Sequence, residues 1–398
     1  IQTSTAADIH VSYRRVIGNS QSTINRCCST SLANQKINGA SIRCLEDVVD
    51  CAGVVDGSAT TDNCGDCVGG NTGADACVQD ACGIWGGDYT SCDGMLLVPS
   101  IYSTIQSAMD AASDGDSVLV LAGTYYENIN FYGKNISVIG EDRETTIIDG
   151  GGSGFVVGLN GEPSTTVLSG FTISNGDEGI YSWPSEATLD NLIISGNSGN
   201  GLLLGYISNI TISNTIIKNN SRGLFVDGLS SADLNNVLIT GNSTLSLNYD
   251  FGGGIAVCCD GGFLSLNNVT ISDNLSSKGG GIYIWNNSNV TMGNTILWNN
   301  TPEEIYFNSE ASPSDRSITI TYSDIQGGEA GIVTNNNSTV YWLEGNIDTD
   351  PLFNNASGGD YSLQAGSPCI DAGNPSSEYN DNDGTRNDMG VFGGPSGN

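Results

Sequence analysis

The sequence predicts an all-β protein wound as a parallel β-solenoid, and three observations carry that prediction. An imperfect repeat runs through residues 170–325. Within it, short aliphatic runs alternate with Gly and Asn turns, the punctuation of strands rather than of helices. Glycine supplies 54 and asparagine 43 of the 398 residues, and both are poor helix-interior residues.

The repeat is read most easily from one aliphatic position. It recurs at 173, 194, 217, 239, 271 and 297, in steps of 21, 23, 22, 32 and 26. Asn191, Asn214, Asn236, Asn268 and Asn294 stand three residues before it, and Asn197, Asn220, Asn242, Asn274 and Asn300 three after. Stacked coils set equivalent residues in columns about 4.8 Å apart. Two Asn columns therefore predict amide ladders at the bends, where Asn also tolerates the left-handed backbone. A second aliphatic run precedes most units, as in Gly201–Leu204 and Gly223–Val226. The 32-residue step holds an insertion near Thr244–Phe251, and solenoid insertions project from one face, often the binding face.

Four segments follow. Residues 1–45 form an N-terminal arm whose Asp8–Tyr13 alternates like a strand, a candidate assembly segment. Residues 46–94 interleave Asp, Gly and Cys and lack the apolar content for a core, so crosslinks must hold them. Residues 95–345 are the solenoid, opened by a short helix in which the capping-box pattern Ser103-Thr104-Ile105-Gln106 leads into Ile105, Ala108, Met109 and Ala112 at helical spacing. Residues 346–398 make a C-terminal cap and tail.

All twelve cysteines are disulfide candidates, since an acidic, Lys-poor chain of this kind belongs in an oxidising compartment. Nine crowd the N-terminal part: Cys27, Cys28, Cys44, Cys51, Cys64, Cys67, Cys77, Cys82 and Cys92. Cys258, Cys259 and Cys369 lie beyond. Nine is odd, so at least one of them must reach farther along the chain, bond another chain, or stay free. The Cys64-x-x-Cys67 spacing lacks the His or second pair of a zinc site, which favours structural disulfides.

Residues 96–395 resemble right-handed parallel β-helix repeat proteins of the pectate-lyase-like superfamily. The resemblance rests on Ile105-Gln106-Ser107-Ala108 with Gly115-Asp116-Ser117-Val118, on Gly123-Thr124-Tyr125-Tyr126-Glu127, and on Ile147-Ile148-Asp149-Gly150. The ending Asp350-Pro351-Leu352-Phe353 with Gly366-Ser367-Pro368-Cys369 adds to it, and residues 46–94 are similar to Asp/Gly/Cys-rich extracellular stalks. The resemblance implies a right-handed coil but no single activity, because the superfamily mixes lyases, hydrolases, adhesins and structural proteins. Its lyases hold Ca²⁺ on carboxylates and use Arg or Lys as base; its glycosidases cluster carboxylates, often beside a His.

Charge and composition then narrow the function. With 44 acidic against 12 basic residues the net charge is −32, which excludes a nucleic-acid binder. No apolar run reaches the roughly 18 residues of a membrane span. The chain opens at Ile1 without an apolar leader, read as a processed, exported start. The one histidine, His10, lies outside the solenoid, whose basic residues are Lys134, Arg143, Lys218, Arg222, Lys278 and Arg316. Lys218 and Arg222 with Asp227 and Asp233 are the nearest thing to a charged cluster, read as solvated turn charges. No catalytic residue and no metal site is assigned, and calcium is the one cofactor kept open. Asp381-Asn382-Asp383-Gly384 fails as an EF-hand because Tyr379 and Gly390 fall at its first and last ligand positions.

Sequons outside the ladder columns number nine: Asn135, Asn209, Asn219, Asn286, Asn289, Asn299, Asn336, Asn337 and Asn355. The expectation from sequence is thus a secreted, extracellular, non-enzymatic structural protein, self-associating into a filament or coat and carrying glycans. The alternatives are a polysaccharide lyase or glycoside hydrolase of the β-helix class, or an adhesin holding carbohydrate on Trp183, Trp285 or Trp298.

Overall fold

A computed structural model describes residues 36–37, 40–41, 49–77, 85, 95–247, 249–259, 261–309, 316–335 and 338–397. The N-terminal arm before Lys36 lies outside the described residues, as do Cys27, Cys28, Cys44, Cys82, Cys92, Asn336 and Asn337.

The chain divides into two compact units, Ile1–Thr90 and Ser91–Asn398. In the first, the described residues hold little regular structure beyond short antiparallel pairs such as Thr60–Thr61 with Cys67–Val68. Disulfides Cys51–Cys67 and Cys64–Cys77 crosslink it. Two carboxylates organise the turns between them. Asp50 accepts backbone N–H bonds from Ala52, Val54 and Ala59, and Asp62 from Cys64, Asp66 and Cys77. Those bonds hold both carboxyls below their ordinary range.

The second unit is a right-handed parallel β-helix. Its coils form one eighteen-stranded and one eight-stranded sheet, and a separate antiparallel pair, Phe353–Asn355 with Asp360–Leu363, follows them. The larger sheet is two stacks merged into one, because Ser231–Thr240 and Phe263–Ser272 run through both. Asn236 and Asn268 sit at the bends of those two strands with φ of 54° and 52°. Asn191, Asn214 and Asn294 take the same left-handed backbone at the equivalent corner, which Asn reaches more cheaply than a β-branched residue. Alternation then points every second residue inward. Ile148, Ile173, Ile194, Ile217, Ile239, Ile271, Leu297 and Ile325 pair rung by rung and are fully buried. Ile129, Val157, Ile180, Leu202, Leu224, Ile255, Ile282 and Ile305 form the matching column of the eight-stranded sheet.

The second Asn column is an amide ladder inside the solenoid. Asn197 Nδ2 donates to Asn220 Oδ1 at 2.9 Å, Asn220 to Asn242 at 3.2 Å, Asn242 to Asn274 at 2.9 Å and Asn274 to Asn300 at 2.9 Å. Glu304 terminates the ladder, accepting from both nitrogens of Asn300. The first Asn column behaves differently. Its left-handed backbone turns the amides outward, so its side chains bond neighbours and the C-terminal segment instead of one another. Asn236 donates to the carbonyls of Val391 and Gly393, and Asn268 and Asn387 exchange amide bonds at 2.9 and 3.0 Å. Asn294 Oδ1 accepts from Asn374, and Asn214 donates to Asp190.

The helix Ile105–Ala111 has Thr104 as its N-cap, accepting from Ser107 N–H at 3.1 Å, and buries Ile105, Ala108 and Met109. Glu127 from the first coil accepts from the N–H groups of Ile105 and Gln106, a placement that also suits the helix dipole. Distal to the last coil, residues 349–397 run back along the solenoid's side. Tyr361 there bonds Thr240 and Asp273, and the Cys369 thiol donates to Asp324 Oδ2 at 3.1 Å. Cys369 is therefore a buried free thiol, not a disulfide partner: its sulfur faces a carboxylate, with no cysteine in bonding range among the described residues. Cys258 and Cys259 bond to each other.

Candidate functional site

The outer face of the eight-stranded sheet concentrates aromatic rings. Register sets Asn130, Gly158, Tyr181, Leu203 and Phe225 opposite one another on successive rungs. Phe155, Tyr181, Trp183 and Tyr206 form a chain of near-parallel rings, with centroids 4.9, 6.2 and 5.1 Å apart and planes within 20°. Phe155, Trp183 and Tyr206 remain 42, 41 and 58% exposed. So much exposed aromatic area on one face of a solenoid marks a contact surface. The rings border a slot of about 170 Å³, lined also by Asn130, Gly158, Leu159 and Asn160, with the Asn130 amide lying over Gly158.

Beside the slot runs a polar column. Glu178 lies opposite Phe155 in the strand register. Its Oε2 accepts from Asn200 N–H at 2.7 Å, and Asn200 Oδ1 accepts from Arg222 Nη1 at 3.0 Å. Burial raises the Glu178 carboxyl above its ordinary value, a push that the bonds from Asn200 and the Arg222 charge only partly oppose. Arg222 is 4% exposed and donates its other N–H groups to the carbonyls of Tyr249 and Phe251. Burial lowers it to about 10, which leaves it charged at neutral pH.

The insertion is thus pinned to this same face. Phe251 stacks on Tyr283 at 4.4 Å and meets Trp285 edge-on, while Tyr283 stacks on Tyr306 at 5.7 Å. The Arg222 guanidinium sits 4.8 and 5.1 Å from the Phe225 and Phe251 ring centroids. Arg222 is therefore a fastener, and it cannot reach solvent to abstract a proton.

Residues close in sequence are scattered by the coil. Lys218 and Asp233 belong to the eighteen-stranded sheet, whereas Arg222 belongs to the eight-stranded one and Asp227 follows its strand. Trp183 lies in the ring chain and Trp285 in the second aromatic cluster, but Trp298 packs against Met389 and Cys369 on the other sheet. Asp381 spends its carboxylate on the N–H groups of Asp388 and Gly394, so the tail's acidic loop is a turn that holds the chain end. Among the sequons, Asn209, Asn219, Asn289, Asn299 and Asn355 are exposed, while Asn135 and Asn286 are half-buried.

Two groups bring carboxylate and sulfur within 4.8 Å and could contribute to a metal site: Asp62 with Cys64 and Cys77, and Asp227 with Cys258 and Cys259. The sulfurs of both are disulfide-bonded, which leaves the carboxylate to a hard ion such as calcium.

Residues 119–269 match the family model of the right handed beta helix region. No curated protein matches the chain. Among solved structures it is similar to pectate lyase Pel9A at 14% identity, covering 72% of this chain and 90% of that one with a TM-score of 0.46. It is also similar to pectin methylesterases from carrot and Aspergillus niger. These share 12 and 14% identity, covering 64% of this chain in both cases and 82 and 86% of theirs, with TM-scores of 0.32 and 0.34.

The expectation of a non-enzymatic filament or coat subunit is corrected here. The solved proteins to which the chain is similar are enzymes by name, a lyase and esterases. The physical flaw in that expectation was to treat scarce Lys, Arg and His as scarce chemistry, although a carboxylate with a raised pKa needs none of them. The disulfides suit the secreted, extracellular setting. No helix among the described residues is long and apolar enough to cross a membrane.

Proposed function

We propose that the chain is a polysaccharide-processing enzyme of the β-helix class, with its substrate lying along the outer face of the eight-stranded sheet. The observation that carries this reading is the exposed ring chain Phe155–Tyr181–Trp183–Tyr206 beside an amide-rimmed slot. Aromatic faces match the apolar C–H faces of sugars, and amides match their hydroxyls. Glu178 is the group assigned to move the proton, since it lies opposite Phe155 in the strand register and burial raises its carboxyl above the ordinary value. Asp227 is not its close partner. Five residues along the strand and two rungs separate their backbones by about 19 Å, against the 6.5–9.5 Å or less of a glycosidase carboxylate pair.

A reducing-end assay over a panel of polysaccharides tests the reading, with Glu178→Gln as the probe. Turnover should fall by roughly 10²–10⁴ while the melting temperature holds. Full turnover in the variant, or none on any polysaccharide with the parent, overturns it. For the flanking features, the crosslinked residues 51–77 serve as a spacer, and exposed Asn209, Asn219, Asn289, Asn299 and Asn355 are the sequons best placed for glycans.

A further inference from the structure

We propose that the slot above Gly158 is a subsite for one uncharged sugar ring, so that the substrate is a neutral polysaccharide and not a polyuronate. This rests on the reading that the eight-stranded sheet carries the polysaccharide, and it adds the substrate's charge.

The slot is built for a neutral ring. Gly158 lines it, and an added Cβ there would come within 2.5 Å of Asn130 Nδ2. Asn130 Oδ1 accepts from Tyr132 N–H at 2.8 Å, which leaves Nδ2 as the end lying over the slot, a donor placed for a hydroxyl. Phe155, Tyr181 and Trp183 wall it, and Asn160 stands at its rim. None of these carries a charge at neutral pH, and burial with the nearby Asp227 and Glu178 carboxylates raises the Tyr181 hydroxyl further. At about 170 Å³ the slot suits a single ring, below the range of pockets for larger ligands.

A uronate would bring a carboxylate to every ring and find no partner here. Six basic residues lie in 95–345, and none of them lines the slot. Lys134 gives its Nζ protons to the carbonyls of Met109, Asp110 and Ala112. Arg143 donates to Asn214 O, and Lys278 lies over Tyr306. Arg222 is spent on Asn200 and the insertion. Lys218 belongs to the other sheet, and Arg316 is buried. The charges beside the slot are instead Glu178 and Asp227, which repel an anionic chain. A neutral ring also lacks the carboxylate that acidifies the adjacent C–H, so cleavage is hydrolysis: the hydroxyl of water goes to the anomeric carbon and its proton to the leaving oxygen.

Affinity electrophoresis of the full chain against xylan, galactomannan, mixed-linkage β-glucan and polygalacturonate, at low and high salt, tests this. At least one neutral polysaccharide should retard the protein equally at both salts, and polygalacturonate should not. Gly158→Leu and Tyr181→Ala should each weaken that binding about tenfold, with circular dichroism unchanged, whereas Phe263→Ala on the other sheet should not. Retention on polygalacturonate alone overturns the proposal, as does neutral binding that ignores both slot variants. Turnover assayed beside binding separates the two readings. Neutral binding without turnover in the parent sinks the enzyme reading and keeps the subsite; turnover of polygalacturonate alone does the reverse.

Discussion

Arg222 Nη1 donates to Asn200 Oδ1 at 3.0 Å, and because the Asn200 N–H donates in turn to Glu178, the insertion near Thr244–Phe251 is coupled to that carboxylate. One end of this chain is the carboxylate assigned to proton transfer, and the other is a pair of loop carbonyls. The coupling yields a test that separates fastening from chemistry.

Arg222→Met should release residues 244–251 by leaving the Tyr249 and Phe251 carbonyls without their donor. Bonds from a charged group contribute about 1.5–3 kcal/mol each, so a loss of about 3 kcal/mol is expected. Thermal melting and limited proteolysis at the insertion measure it. An unmoved melting temperature with lost turnover would mean that Arg222 acts on substrate instead.

Asn242 is the middle rung of the inner ladder, accepting from the backbone and side chain of Asn220 and donating to Asn274, Ile217 and Thr240. Asn242→Ala strands several buried groups at once and should cost about 2–4 kcal/mol. Asn289→Ala, at an exposed position on the outer surface, should cost under about 0.5 kcal/mol. Equal effects in chemical denaturation would remove the ladder as a stabilising element.

Stability should rise as pH falls from 8 to 5. Burial pushes the Glu304 carboxyl up to about 7 and that of Asp324 up to about 6. Both bind their protons more tightly folded than unfolded, so their contribution is complete below the ordinary carboxylate range and is lost as pH rises through 6 to 7. Melting curves across that window check the sign, and Glu304→Gln should flatten the part nearest 7. Below pH 4 the trend reverses, because Asp360 and Asp383 are held below their ordinary values by bonds from Ser362 and Thr385.

Cys369 should resist alkylation in the folded protein. Burial and the Asp324 carboxylate push its thiol well above the ordinary range, and only the thiolate reacts. Peptide mass spectrometry after iodoacetamide should find it unlabelled in native buffer and labelled in guanidinium. Labelling in the native state would mean that the C-terminal segment opens readily.

Much of this molecule was legible one residue at a time. The aliphatic column from Ile173 to Leu297, the left-handed Asn corner and the inner ladder all follow from a step near 22 residues, because stacking turns a sequence period into a spatial column. The capping-box pattern Ser103-Thr104-Ile105-Gln106 announced the opening helix, although its cap is Thr104, accepting from Ser107 N–H, and not Ser103. The outward turn of Asn236 and Asn268 was not legible, since the same Asn serves a ladder or a corner according to its φ.

The slot lay further out of reach. Nothing local marks Gly158 as part of the slot's lining, and Tyr181 meets it only once the register between coils is set. Phe251 and Arg222 are 29 residues apart and join because an insertion happens to fold onto one face of the sheet. By itself the sequence determined the coil, its core and its corners, all consequences of near-neighbour periodicity. Only the tertiary structure decided which side chains share the outer face, because steps of 21 to 32 residues carry each side chain a different distance along the chain to its neighbour in space.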